Sequence, residues 1–357
     1  MTGPLLLTPH LPADPTHLDP LRLDRWYADP LPLTRRPPQD LTGMLRAAVP
    51  VMAATTDVPA ALAMLRDVDP PLCVLARRYP GLWQRIPGLE SALGHLGRVR
   101  QGLPRSDNDL YGAFNPEDRL RTLTGLDAER LLIDGIRTGG IGLHTVMHRL
   151  SIIADWVVGR RPDWAAVQAA GELGPAWDPM VKSAVLMARQ MDLDVFAADY
   201  IPWLVPLKIE GRVYRAPTGA QFTNTWLDWA LWGPEVARAD PAYRAYSAQL
   251  RPECSPLARS LGQRIVTTCG NQSLISALET RFPPGVHPAA RYAVLDGLEA
   301  LLRRMRDFRA VHQRFALQTL MMREPDRGSG MIEDPPFAGL LDHTRAARAR
   351  VGALRGS

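Results

Sequence analysis

The chain has 357 residues, of which 46% are hydrophobic, enough to bury the core of one large domain or two small ones. Its formal net charge is +5, and the positive charge is nearly all arginine because lysine occurs only at Lys182 and Lys208. These arginines are interleaved with Asp and Glu, as on solvated helix faces. The pattern argues against a nucleic-acid-binding surface, where positive charge clusters on one face.

The three cysteines, Cys73, Cys254 and Cys269, form no Cys-x-x-Cys pair. This argues against a disulfide framework or a structural zinc site and is typical of a reducing compartment. No uninterrupted apolar stretch approaches the ~20 residues that cross a bilayer, and the first residues lack the basic segment of a secretory signal. We therefore expect a cytoplasmic protein that binds neither nucleic acid nor a membrane.

Residues 1–40 are rich in proline, which fixes φ and removes a backbone donor, so we predict an extended and irregular N-terminal arm there. Residues 41–357 are predicted to form a single helical domain. Its first helices are predicted from about Leu41 through Leu45, and then at Pro59–Asp67, Leu72–Tyr79, Ser91–Gln101 and Leu126–Ile136.

The stretch Gly139-Gly140-Ile141-Gly142 is predicted to interrupt or kink the helix that continues over His144–Val158. It follows no strand and is therefore not a dinucleotide-binding loop. His144 and His148 are four residues apart and lie on one helix face, but a zinc site would need a third ligand, and Thr145 stands where a zinc protease has Glu. A place beside a substrate cavity remains open for either histidine.

Further helices are predicted at Asp163–Gly171 and Asp178–Met191. Two short β-type runs then flank Glu210-Gly211 within Pro206–Tyr214, which predicts a tight hairpin. Later helices are predicted at Thr223–Trp232, Pro241–Gln249, Pro256–Cys269, Asn271–Arg281, from about Pro288 onward, and at Phe337–Leu354. The predicted fold class is all-α, a multi-helix bundle with one small β-hairpin.

An aromatic stripe occurs on the helix that precedes residue 233. Phe222, Trp226 and Trp229 fall at helical spacing, with Trp232 just beyond. Such a stripe belongs either to the core or to an aromatic wall beside a flat ligand. Neither interpretation explains Asp228, which lies between two of the tryptophans.

His312 is the most informative candidate site residue. It continues the apolar stripe of a long, arginine-rich helix, whose successive members, Leu298, Leu301, Met305, Phe308, His312 and Phe315, are three or four residues apart. An imidazole that faces a core needs a partner, because an unpaired buried polar group costs roughly 1–3 kcal/mol. From the helix alone, that partner is a backbone carbonyl, a carboxylate or a metal.

Three stretches of the chain together resemble the family of monodechloroaminopyrrolnitrin synthase, which belongs to the tryptophan/indoleamine 2,3-dioxygenase-like superfamily of histidine-ligated haem proteins. They occur in the family's order and at similar separations over roughly residues 40–355. The stretches are Phe114-Asn115-Pro116 to Leu126; Tyr200 to Gly233; and Phe308-Arg309-Ala310-Val311-His312, followed by Gly328-Ser329-Gly330 and Ala346 to Val351.

The resemblance implies a haem-dioxygenase-like bundle in which His312 is the axial iron ligand of haem b. It implies a haem propionate as the partner of Arg309, because guanidinium pairs with carboxylate in a bidentate fork. The loop Gly328-Ser329-Gly330 is then the place where the amino-acid end of the substrate binds. The implied activity is oxygenation of tryptophan or a related indole or aromatic amino acid with O2, using an electron or peroxide source that the sequence does not identify.

The sequence also departs from the family's pattern. The segment between His312 and the Gly-Ser-Gly loop is two residues shorter, Leu320 stands about where a pocket tyrosine is found, and Met331 replaces a glycine. These changes leave the substrate and the reaction outcome open, and no distal catalytic residue is identified. The alternatives are an aromatic, tyrosine-like ring hydroxylase using the same haem and a helical haem-binding or interaction module without turnover.

Overall fold

The structure is a computed structural model, and it describes residues 18–100, 115, 120–205, 207–214, 221–254, 256–282, 289–321 and 337–356. The described residues form fourteen α-helices, short 3-10 and π turns, and one pair of antiparallel strands. The predicted all-α fold with one small hairpin is therefore confirmed. Within the described ranges, none of the helices has the length and apolar character needed to span a bilayer.

The helices and strands follow one another along the chain as follows. They are α1 (Asp24–Ala28), α2 (Pro38–Ala54), α3 (Val58–Arg78), α4 (Leu89–Val99), α5 (Asp127–Val157), α6 (Asp163–Gln190), α7 (Leu193–Val195), β1 (Leu207–Ile209), β2 (Arg212–Tyr214), α8 (Gln221–Leu231), α9 (Gly233–Ala239), α10 (Pro241–Leu250), α11 (Pro256–Thr268), α12 (Leu274–Arg281), α13 (Ala289–Met321) and α14 (Phe337–Gly356). The predicted helices from Thr223 onward match α8 and α10–α14 closely, whereas α9 was not predicted.

The chain divides into two compact units. The first comprises Met1–Arg137, Arg189–Ala220 and Ala316–Glu333, and the second comprises Thr138–Ala188, Gln221–Phe315 and Asp334–Ser357. No change of composition marks these boundaries in the sequence, and residue 40, where we placed a domain boundary, is not among them.

The described part of the predicted N-terminal arm is more ordered than its proline content indicates. It contains α1 and a 3-10 turn at Leu33–Arg35, and Leu23 and Leu33 are buried. The Tyr27 hydroxyl donates a hydrogen bond to the carbonyl of Asp67 on α3 at 2.6 Å. The expectation of a wholly irregular segment was wrong because these contacts hold it to the first unit.

Helix α3 continues through Pro70 and Pro71, where we had predicted two separate helices. Every residue from Ala61 to Leu75 is buried. A proline inside a helix removes a backbone hydrogen bond and disfavours the helical conformation of the preceding residue. Burial on all sides of α3 outweighs this local cost, so tertiary packing decides the conformation.

Helix α5 also continues through the Gly139–Gly142 stretch, so the predicted interruption was wrong. These glycines allow a close approach of α6. An added Cβ at Gly139 would lie 2.6 Å from Met180 Sδ, and one at Gly142 would lie 2.1 Å from the carbonyl oxygen of Ala176. Helix α6 is likewise continuous through Pro175 and Pro179, where two helices were predicted.

The predicted hairpin is confirmed. Strands β1 and β2 pair antiparallel, with Leu207 opposite Tyr214 and Ile209 opposite Arg212. Glu210 and Gly211 both have positive φ angles, 48° and 77°, as a two-residue type I′ turn requires.

Candidate functional site

His312 lies on α13 and continues the predicted apolar stripe. Leu298, Leu301, Met305 and Phe308 of that stripe are buried, which confirms this part of the pattern. His312 itself is half-buried. Its ring is nearly parallel to that of Phe308 one turn earlier, at 20° and with 5.4 Å between ring centroids. A rigid helix and an aromatic neighbour thus hold the imidazole.

A second aromatic ring extends this row. Phe308 meets the ring of Trp177 on α6 edge to face, with a centroid distance of 6.1 Å. Trp177 is almost fully buried, and its Nε1 has no hydrogen-bond partner among the described residues. Because an unpaired buried N–H costs roughly 1–3 kcal/mol, an added acceptor beside this indole would stabilise the site.

The electrostatic surroundings of His312 favour its neutral form. Burial lowers the pKa of this imidazole to about 4, and the nearby positive charge of Arg309 contributes in the same direction. At neutral pH the ring is therefore uncharged. A neutral imidazole is the form that binds a metal ion.

This lowered pKa predicts a pH-dependent stability of the haem-free protein. The unfolded chain binds a proton on His312 near its ordinary pKa of 6.5, whereas the folded chain binds it only near 4. The folded state is thus fully favoured above pH 6.5 and loses stability as the pH falls towards 4. Allowing for partial exposure, we expect a loss of about 2 kcal/mol.

Urea unfolding at several pH values between 7 and 4 measures this effect. His312→Gln is expected to reduce the fall in unfolding free energy, while the exposed His148→Gln on α5 should keep the wild-type fall. The unfolding free energy of His312→Gln should still depend partly on pH, because burial also lowers the pKa of His144. Equal pH profiles for wild type and His312→Gln would contradict the prediction.

Arg309 precedes His312 by almost one helical turn and is buried. Its Nη2 donates to the carboxylate of Asp228 on α8. Its Nη1 donates to the carbonyl oxygen of Leu340 at 3.1 Å and to the hydroxyl of Thr344, both on α14. The guanidinium also lies over the ring of Trp232, 5.3 Å from the centroid. One side chain therefore joins α8, α13 and α14.

These contacts bear on the role that the resemblance assigns to Arg309. Both terminal nitrogens of the guanidinium already have protein partners, so the described geometry does not fit a propionate partner at this residue. The propionate contact stays a prediction. The ion pair accounts for Asp228, which the sequence left unexplained. Burial raises the pKa of that carboxyl group, and the charge of Arg309 opposes the rise.

Two further buried polar groups, which no sequence pattern indicates, lie near this ion pair. The hydroxyl of Tyr243 and Nε1 of Trp232 have no hydrogen-bond partner within the part of the chain that the structure describes. Burial also raises the pKa of Tyr243 well above its ordinary range, with the negative charge of Asp228 acting in the same direction. The Tyr243 hydroxyl is therefore a neutral donor. No motif around Tyr243 in the sequence indicates that its hydroxyl is buried and unpaired among the described residues.

The predicted aromatic stripe packs against an arginine. The guanidinium of Arg251 lies 3.6 Å from the ring centroid of Trp229, and Nε1 of Trp226 donates to the Arg251 carbonyl at 3.0 Å. Trp226 and Trp232 are buried, and Trp229 is half-buried. These contacts favour a packing role over an aromatic wall for a flat ligand. The side chain of Phe222 lies outside the described residues.

The other candidate residues are dispersed or not described. His144 is buried, with Nδ1 2.9 Å from the carbonyl oxygen of Gly140, whereas His148 is exposed. Among the described residues, no group of three or more His, Cys, Asp and Glu side chains is placed to hold a metal ion. The predicted substrate loop, Gly328-Ser329-Gly330, lies outside the described residues.

No protein-family model matches the chain. A haem axial site needs only one protein ligand on a rigid element, together with dry surroundings. His312 supplies the ligand, with a neutral ring on α13, and Phe308 covers one face of this half-buried imidazole. Arg309 is not available for a haem propionate in the described arrangement, because both of its terminal nitrogens already donate to protein groups.

Proposed function

We propose that the protein is a haem b-dependent oxygenase that acts on tryptophan or a related indole or aromatic amino acid, and that His312 would hold the haem iron. The single observation that carries the proposal is a neutral, half-buried imidazole held on a long helix beside Phe308. The family resemblance of the surrounding sequence supplies the identity of the cofactor and the class of substrate.

In this proposal, each part of the chain has a separate role. Haem iron, when bound, supplies the binding and activation of O2. His312 binds the iron, and Phe308 keeps water from the imidazole. Arg309 fixes α13 to its neighbours through Asp228 and thereby orients His312 on the next turn. The loop around Ser329 is the proposed place for the carboxylate or amine of the substrate.

Haem binding is tested by adding ferric haem to the purified protein and recording its absorption spectrum. We expect a Soret band that shifts on reduction and is lost in His312→Ala. Added imidazole should restore it in His312→Gly, because the free base enters the space that the side chain leaves. His148→Ala is the matched control and should keep the wild-type spectrum. A wild-type Soret band that His312→Ala leaves unchanged would overturn the assignment.

Catalysis is tested separately, with the haem-loaded protein, tryptophan, O2 and a reductant. Oxygen incorporation from ¹⁸O2 into an indole product is the expected result. Incorporation into tyrosine with tryptophan unchanged would instead support the aromatic ring hydroxylase. A protein that binds haem and oxidises neither amino acid would refute the proposed activity and leave a haem-binding module.

A further inference from the structure

A groove of about 830 Å³ lies along α13 and α14. Its volume is within the range of small-molecule sites. Its apolar lining consists of Ala310, Leu341, Ala349 and Gly352, while the lining residue Val351 is itself fully buried. Its remaining lining is largely charged, with Glu299, Arg306, Arg345, Arg348 and Arg355.

Two ion pairs between the helices close one part of this groove. Arg348 Nε lies 2.5 Å from a carboxylate oxygen of Glu299, and Arg355 Nε lies 2.9 Å from one of Asp296. Arg309 is bonded to Leu340 near the other end, so α13 and α14 run antiparallel. In that register, residues 306 and 345 lie at the same level, between the two sets of contacts.

Arg306 and Arg345 pair with carboxylates of their own helices, whereas Arg348 and Arg355 pair across the two helices. Arg306 pairs only with the adjacent Asp307 among the described residues, at 2.7 Å. Arg345 pairs with Asp342 on its own helix, and 60% and 68% of the two side chains are exposed. Exposed pairs of this kind contribute little, about 0–1 kcal/mol, so an anion in the groove can compete for both guanidinium groups.

A glycine on α14 adds an independent observation. An added Cβ at Gly352 would meet nothing within 4 Å, so the groove is open above this residue. Most solvent-facing helix positions carry a side chain, since glycine costs about 1 kcal/mol relative to alanine in a helix. The missing side chain at Gly352 leaves room for an apolar group beside Ala349.

We propose that this groove binds a small molecule with a carboxylate head and an apolar body. Arg306 and Arg345 bind the carboxylate, because guanidinium groups match it in a bidentate fork. The apolar body lies against Ala310, Leu341 and Ala349. Ala310 and His312 are two residues apart on α13 and so point about 200° apart, which makes this site independent of the proposed haem site.

Octanoate and octanol are suitable probes, because they share an eight-carbon body and differ in the head group. Isothermal titration calorimetry on the full chain should show octanoate binding at least tenfold tighter than octanol, with an affinity that falls as salt is added. In Arg306→Gln/Arg345→Gln, octanoate affinity should fall at least tenfold. Arg303→Gln, which removes an exposed arginine from α13 outside the groove lining, should retain the wild-type affinity.

A second variant tests the groove without changing its charge. Gly352→Leu fills the open space and should abolish octanoate binding, while Gly171→Leu, at another open helical glycine on α6, should not. Circular dichroism confirms that each variant is folded. Equal binding of octanoate and octanol, no octanoate binding, or full binding by folded Gly352→Leu would each overturn the proposal.

Discussion

Replacing Asp228 by alanine is expected to lower the free energy of unfolding by about 3–5 kcal/mol. The variant leaves Arg309 charged in a buried position without its carboxylate, and an uncompensated buried charge is strongly destabilising. Asp228 and Arg309 are only 1% and 8% exposed, so water cannot replace the lost partner. Chemical denaturation followed by circular dichroism measures the change.

Two controls separate the buried charge from the loss of a contact. Replacing both partners, in Asp228→Leu/Arg309→Met, should recover most of the lost stability, because no charge then remains buried. Asp342→Ala breaks the exposed pair with Arg345 and should cost less than about 1 kcal/mol. A change below about 1 kcal/mol in Asp228→Ala would show that the ion pair does not stabilise α13.

Replacing Gly142 by alanine is expected to cost about 2–3 kcal/mol. The added Cβ would lie 2.1 Å from the carbonyl oxygen of Ala176. That oxygen belongs to the backbone of α6 and cannot rotate away, so the two helices must separate to accommodate the methyl group. The midpoint and slope of a denaturant unfolding curve give the change in free energy.

Gly140→Ala is the matched control because it makes the same substitution two residues earlier on α5. An added Cβ at Gly140 would meet nothing within 4 Å. Alanine is more favourable than glycine inside a helix, so the free energy of unfolding of Gly140→Ala should rise by up to about 1 kcal/mol. Opposite signs for the two variants are the expected result, and equal stabilities would refute close packing at Gly142.

Local patterns were sufficient to predict most of the fold. The 3.6-residue spacing of apolar residues located α8 and α10–α14 to within a few residues. The Glu210-Gly211 pair located the hairpin, because both residues adopt the positive φ angles of its turn. These features depend on residues close together in the sequence, and their signals are therefore visible without the structure.

Features that depend on distant residues were not predictable in this way. Proline and glycine indicated breaks in α3, α5 and α6, but packing against other helices keeps each of them continuous. The pairing of Asp228 with Arg309 joins positions 81 residues apart. An acidic residue between two tryptophans was a visible anomaly, but only the structure identified its partner.

The second unit has a consequence for biosynthesis. It is assembled from three separated stretches of chain, and the last of them carries α14. Leu340 and Thr344 on that helix accept hydrogen bonds from Arg309, so the segment around His312 is fully fixed only after α14 has left the ribosome. Under the proposed function, His312 is therefore fully positioned for haem only once α14 has been synthesised and packed against α13.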